Sequence, residues 1–212
     1  ILECVRINKI KNLVFITSDK CYLNREILRG YREDEILGGY DNYSSSKASA
    51  EIIFKSYFKS FFTKPKLSIA SARAGNVIGG GDFKKDRIVP DVIKSLYYRK
   101  EIILRNPKST RPWQHVLEPV SGYLKLGVLL MRKQLSSKIV PNWNFGPPAN
   151  NQKTVREITN LIKKEWGNNS KKIKITKSKK FKESKLLALN INKAKRELKW
   201  KPKLGLKNTI RF

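Results

Sequence analysis

The chain has 212 residues, enough for one compact domain or a domain with a smaller lobe, and 40% of them are hydrophobic, which excludes wholesale disorder. Lysine and arginine number 46 against 17 aspartates and glutamates, and the formal net charge of +29 attracts polyanions in a salt-dependent way. Cys4, Cys21 and His115 are too few for a disulfide scaffold or a Cys/His metal site, and no apolar run reaches the length of a membrane span.

The first predicted element is a strand. "NLVFITS" is a continuous apolar run, as in a parallel sheet covered on both faces. It ends in Thr17, Ser18, Asp19 and Lys20, so hydroxyls, an acid and an amine reach a strand's carboxyl end, where open α/β sheets place their chemistry. "LRGYREDEILGGYDNY" has too many glycines and charges to feed a core and reads as a surface loop. From Ser44 the spacing predicts a helix, with Ala50, Phe54, Tyr57 and Phe61 as its apolar stripe.

"KLSIASARAGNVIGGGD" predicts a second buried strand running into a turn at Gly79, Gly80 and Gly81. "RIVPDVIKSLYYRK" is a helix with Ile88, Val89, Val92, Ile93 and Leu96 on one face and Pro90 in its first turn. "EIILRN" and "RPWQHV" read as short strands, "EPVSGYLKLGVLLMRK" as a helix and "VPNWNFGPP" as a strand and turn. "TVREITNLIKKEW" opens on a capping box of Thr154 and Glu157, with Val155, Ile158, Leu161 and Ile162 on one stripe.

In "KKIKITKSKK" the alternation places Ile173 and Ile175 on one side of a strand and amines on the other. The lysines alternatively suit a basic nucleic-acid-binding module, but without interleaved exposed aromatics they make a poor stacking platform, and no specific nucleic-acid partner is expected. "NINKAKRELKWKP" is a short helix with Ala194 and Leu198 toward the core, halted before Pro202. Strands alternating with helices over most of this length predict an α/β fold with a parallel sheet. No G-x-G-x-x-G or G-x-x-G-x-x-G opens a strand-to-helix turn, and Gly79–Gly81 is a weak match to a dinucleotide cradle.

"YSSSK" supplies Tyr43 and Lys47 one helical turn apart on one face. A phenol is no base at neutral pH unaided, but a cation beside it favours the phenolate, so the pair suits removal of an alcohol proton. Joined to a strand ending in Ser18, the motif is far more specific than either part alone.

These residues, with "TSDKCY", "GGYDNYSSSKASAE", "ARAGNVIGGGDF", "DRIVPDVI", "LRNP", "TRPWQHVLEPVSGYL" and "NFGP", resemble the extended short-chain dehydrogenase/reductase family. Within it they are similar to the sugar-nucleotide 4,6-dehydratases, and the Ser-Asp-Lys triplet points to the branch acting on CDP-glucose. The resemblance implies an incomplete Rossmann-type parallel sheet with a small C-terminal substrate-binding lobe. Residues 1–78 would be the C-terminal part of the NAD-binding domain, 79–115 a first lobe segment, 116–146 a return to the Rossmann domain and 147–212 the substrate-binding lobe. NAD as cofactor, CDP-glucose as substrate and a homo-oligomer at full length follow from the same resemblance, while the cysteine and histidine usage and the short apolar runs give the expectation of no metal, no membrane and a cytoplasmic location.

So do the roles. C4 would be oxidised, water lost across C5 and C6, and hydride returned to C6. Ser18 would hold the sugar 4-hydroxyl while Tyr43, assisted by Lys47, removes its proton; Thr17, Tyr43 and Lys47 would contact the cofactor. Asp19 would protonate the departing C6 hydroxyl. Lys20 would take or relay the C5 proton, or stay charged and stabilise the enolate; both roles stay open, because an amine is protonated at neutral pH unless burial or a second cation intervenes. Asn76, Arg87, Arg105 and Arg111 would hold the nucleotide diphosphate, a role that suits the planar guanidinium fork. Trp113 and His115 read as packing and local hydrogen bonding. Members of the family begin with a glycine-rich turn upstream of "FITSDK" that these residues lack. The expectation is therefore either a partial sequence of a complete enzyme or a truncated product that exposes an apolar sheet edge and does not bind NAD.

Overall fold

A computed structural model describes residues 1–63, 66, 68–136, 141–148, 152–167, 172–176 and 186–212. In chain order the first elements are α1 (Leu2–Ile7), β1 (Leu13–Ile16), α2 (Asn42–Tyr57), β2 (Ile69–Ala74), β3 (Val77–Ile78), α3 (Ile88–Tyr97) and β4 (Ile102–Leu104). β5 (Thr110–Arg111), β6 (Gln114–His115), α4 (Leu117–Met131), β7 (Asn142–Phe145), β8 (Lys153–Thr154), α5 (Val155–Glu165), β9 (Ile173–Ile175), α6 (Asn192–Glu197) and α7 (Leu206–Arg211) complete the series.

β1, β2 and β7 form a parallel sheet in that order, with Ile16 opposite Ala72 and Ala74 opposite Phe145. Parallel neighbours need long crossovers, and α2 and α4 supply them. Side chains alternate along β2: Ser71 and Arg73 bond to Glu51 of α2, while the intervening alanines face the other way. On that second face α4 approaches so closely that a Cβ on Gly122 would lie 2.3 Å from the Phe145 ring. Leu126, Leu130, Phe54, Phe58, Trp143 and Trp200 fill the two layers around the sheet.

A second core, of Val92, Leu96, Ile102, Leu104, Trp113, Ile158 and Ile162, is built by α3, α5 and the short pairs β4–β9 and β5–β8. The C-terminal stretch serves both cores: Ile191, Ala194, Leu198 and Trp200 pack on the sheet, Leu206 and Ile210 on the lobe. A small cluster of Cys21, Tyr22, Tyr31, Leu187 and Leu189 pins the loop after β1.

Several expectations shift in register. α2 begins at Asn42, not Ser44, because Asp41 is its N-cap. Its buried positions are Ser44, Ala48, Glu51 and Phe54, so the expected stripe through Ala50 and Tyr57 is rotated. A π-turn over Phe58–Phe62 adds a residue to the winding, which buries Phe58 and leaves Phe61 exposed. β1 is only half-buried, with Ile16 exposed, and among the described residues it pairs with β2 alone. "RPWQHV" divides into β5 and β6 around Pro112, which has no N–H to give a ladder. Ile173 is half-buried but Ile175 is exposed. The lysines at 177, 179 and 180 lie outside the described residues. Among those described, no helix is long and apolar enough to cross a membrane.

Candidate active site

Pairing carries the first strand slightly beyond its end: the Thr17 N–H donates to the Ala72 carbonyl at 2.8 Å. Ser18 then caps a single 3-10 turn over Asp19–Cys21, its Oγ accepting from the Lys20 N–H at 3.2 Å and donating to Asp19 Oδ1 at 3.0 Å. A short hydroxyl residue is what such a turn start favours.

This turn drives Asp19 inward. Its side chain is buried, and its Oδ2 has no hydrogen-bond partner among the described residues. Burial pushes the carboxyl up to about 6, against the opposing pull of Lys20, the Ser18 hydroxyl and Arg111. Gly75, at the end of β2, makes the room: a Cβ there would lie 2.6 Å from Pro112 Cγ and 3.0 Å from Asp19 Oδ2.

α2 brings the second group. Asp41 accepts the Ser44 N–H at 2.9 Å and the Ser44 hydroxyl at 2.7 Å, fixing the first turn. Gly39 is pressed against that turn so tightly that a Cβ would lie 2.2 Å from Ser44 Cβ. Tyr43 projects from it, half exposed, and Lys47 places its Nζ 5.4 Å from the Tyr43 ring centroid.

A cleft of about 800 Å³ opens between the carboxyl end of the sheet and the lobe. Its walls gather Thr17, Ser18, Asp19, Lys20 and Tyr43 with Asn76, Arg87 and Arg111. Lys47 stands behind Tyr43 rather than on the wall. Arg105 is also off the wall, paired with Asp86 at 2.5 Å, and Arg87 pairs with Asp82 at 3.2 Å. The Thr17 hydroxyl is committed inward, donating to the Glu51 carboxylate. Trp113 donates its indole N–H to the Lys153 carbonyl at 2.8 Å, and His115 Nδ1 accepts the Leu117 N–H at 3.2 Å. These are the packing and local bonding expected of them.

Sequence reasoning missed Gly75, Tyr123 and the buried pair Glu51–Arg73. Tyr123 lines the cleft edge-on to Phe145, with burial as the main cause and the Asp19 charge as a second pushing its phenol up to about 12. It sits inside a run that reads as an ordinary apolar helix, so nothing in the pattern marks it. Glu51 did carry a signal, since it follows Lys47 by one helical turn and so shares its face.

The family described as GDP-mannose 4,6 dehydratase matches residues 1–212. The chain belongs to that family. It is 43% identical over 216 residues to the CDP-glucose 4,6-dehydratase of Salmonella typhimurium, covering 99% of this chain and 59% of the relative. A dTDP-D-glucose 4,6-dehydratase of Dictyostelium discoideum is 29% identical over 134 residues, 58% of this chain and 30% of its own. The chain thus spans about three fifths of the Salmonella protein's length. Among solved structures, a dTDP-glucose 4,6-dehydratase from Bacillus anthracis in complex with NAD superposes with a TM-score of 0.80 at 24% identity, over 99% of this chain and 62% of that one. A UDP-glucuronic acid 4-epimerase from Bacillus cereus, in complex with UDP-glucuronic acid and NAD, gives 0.80 at 20% identity, over 99% of this chain and 62% of that one. The open parallel sheet of this dehydratase family chain therefore has the Rossmann-like fold of those structures.

Proposed function

We propose that these residues carry the catalytic chemistry of an NAD-dependent 4,6-dehydratase that converts CDP-glucose to CDP-4-dehydro-6-deoxyglucose and water. The observation that carries this reading is Asp19: a buried carboxyl, held protonated up to about pH 6, sharing one cleft with Tyr43. An epimerase needs only a base that takes and returns an alcohol proton. Loss of a C6 hydroxyl needs an acid as well, and Asp19 supplies one. The similarity to the Salmonella enzyme supports CDP as the nucleotide.

The donor set fits the nicotinamide-ribose end of NAD. Tyr43 and Lys47 offer a phenol and an ammonium beside the sheet's carboxyl end, and among the described residues neither side chain has a hydrogen-bond partner. Bound NAD supplies the hydride acceptor and donor. Tyr43 removes the proton of the sugar 4-hydroxyl, and Lys47 favours the phenolate that does so. Ser18 Oγ turns from Asp19 to hold that hydroxyl, which leaves both Asp19 oxygens to the leaving group. Asp19 then donates its proton to the C6 oxygen. Lys20, beside it on the cleft wall, takes the C5 proton or holds the enolate charge. Asn76, Arg87 and Arg111 stand on the same cleft wall and would hold the diphosphate. Arg105 reaches it only if its pairing with Asp86 is released.

The complete protein, as its gene encodes it, is expected to release CDP-4-dehydro-6-deoxyglucose from CDP-glucose, identified by NMR of the product. Turnover of dTDP-glucose with inertness toward CDP-glucose would reject the nucleotide assignment. A product epimerised at C4 with its C6 hydroxyl retained would reject dehydration.

A further inference from the structure

A buried ion pair lies between α2 and the sheet, off the cleft wall. Glu51 and Arg73 are both buried, and Arg73 Nη2 donates to Glu51 Oε2 at 2.7 Å. The same oxygen accepts the Ser71 hydroxyl at 3.0 Å, and the other accepts the Thr17 hydroxyl. Arg73 Nη1 donates to Tyr22 Oη at 2.8 Å, and the Tyr22 hydroxyl donates to Asn144 Oδ1 at 2.7 Å. One carboxylate on α2 is thereby tied to the end of β1 and to β2, and through Arg73 to the exit of the 3-10 turn and to β7.

Stability is a weak reason for such an arrangement. Well-packed apolar residues of similar volume often serve as well or better, because two charges lose their hydration on burial. What apolar packing supplies poorly is a fixed register, since a smooth helix face can slide or rotate over an apolar sheet face. A hydrogen-bonded fork cannot do so without leaving charges unpaired.

The register matters at one place. Thr17 immediately precedes Ser18 and Asp19, while Glu51 follows Lys47 by four residues and Tyr43 by eight. At 1.5 Å per residue the tether therefore meets α2 about 6 Å from Lys47 and about 12 Å from Tyr43 along the axis. It joins the strand end that holds the acid to the helix that holds the base.

We propose that Glu51 and Arg73 are positioning residues for the dehydration, setting Tyr43 and Lys47 on α2 against Ser18 and Asp19 at the end of β1. The proposal rests on the function assigned above. It is tested in the complete protein with the double variant Glu51→Leu/Arg73→Met, which removes both charges together, and with Thr17→Val, an isosteric change that removes the hydroxyl bonded to Glu51. Hydrogen exchange across residues 43–50, thermal melts and steady-state kinetics on CDP-glucose are measured side by side.

For the double variant the expected result is a retained cooperative melt, exchange across 43–50 faster by about tenfold or more, and kcat lower by about tenfold to a hundredfold with KM within about threefold. Wild-type exchange and kcat in a double variant that melts cooperatively overturn the proposal. If the double variant does not fold, Thr17→Val decides: faster exchange with lower kcat at an unchanged melt supports positioning, and unchanged exchange and kcat overturn it. A wild-type protein inert toward CDP-glucose rejects the substrate reading, and the exchange arm still decides whether the tether fixes α2.

Discussion

Asp19 carries a cost that its environment makes measurable. Moving a carboxyl from 3.8 to about 6 makes the ionised native state roughly 3 kcal/mol less stable than an unperturbed group would. The sign follows from proton binding: between those values the native state holds the proton and the unfolded state has released it. Asp19 is therefore without penalty below about pH 4, and stability declines as pH rises through about 6. Asp19→Asn is expected to raise the melting temperature at pH 8 by about 2–4 °C for each kcal/mol recovered, and to change it little at pH 4. An equal shift at both pH values would show that packing, not ionisation, is responsible. The same variant is expected to lose the proposed dehydration, as where a destabilised site trades stability for activity. Tyr43 stands differently, half exposed and bonded to nothing that the fold needs. Tyr43→Phe is expected to leave the melt unchanged and lower kcat by about 10²–10⁴-fold; a loss of less than tenfold in single-turnover measurements would remove it as the base.

At the scale of elements, α5 shows how far pattern alone can reach. Its capping box is formed as the sequence predicts, with the Glu157 N–H on Thr154 Oγ1 at 3.1 Å and the Thr154 N–H on Glu157 Oε2 at 2.8 Å. Thr154→Ala is expected to cost about 1 kcal/mol, read as a lower denaturation midpoint at constant slope. The backbone N–H of Thr154, Lys153 and the Thr154 hydroxyl hold the Glu157 carboxyl below its ordinary value, so its contribution is present above about 4.5 and is lost as pH falls. The box is legible because both partners are local. α2 is legible in existence and in its Tyr43–Lys47 face, but its buried stripe is not, because Glu51 is buried by partners just after β1 and on β2 that no periodicity contains. β2 reads as a buried strand and is buried throughout, but the partners of Ser71 and Arg73 are not legible, because they lie on a helix about 20 positions upstream. At the cleft, the polar strand end Thr17–Lys20 and YSSSK were readable as contiguous strings. Gly75 and Tyr123, which act through shape, were not.

The whole molecule joins a high net charge to exposed apolar surface, and their balance is testable. On α4, Leu117, Val120, Leu124, Val128 and Met131 are all exposed, at three- and four-residue spacing, so a second apolar stripe faces away from the sheet. Val14 of β1 lies 3.8 Å from where a Cβ on Gly127 would be, so β1 runs beneath α4 beside that stripe. Among the described residues the outer edge of β1 is unpaired. An apolar stripe next to an open strand edge favours self-association, whereas a charge of +29 opposes it. Salt decides which wins, because the screening length falls from about 30 Å at 0.01 M to about 10 Å at 0.1 M, while burial of apolar surface is little weakened. The 212-residue polypeptide is therefore expected to be dispersed at low salt and to associate as salt rises, followed by light scattering at about 100 μM, in the micromolar-to-millimolar range where exposed edges aggregate. Leu124→Lys with Val128→Lys should move the onset to higher salt without lowering the melt, since both side chains already face water. Scattering that is independent of salt, or unchanged by these two lysines, would place the association somewhere other than this face.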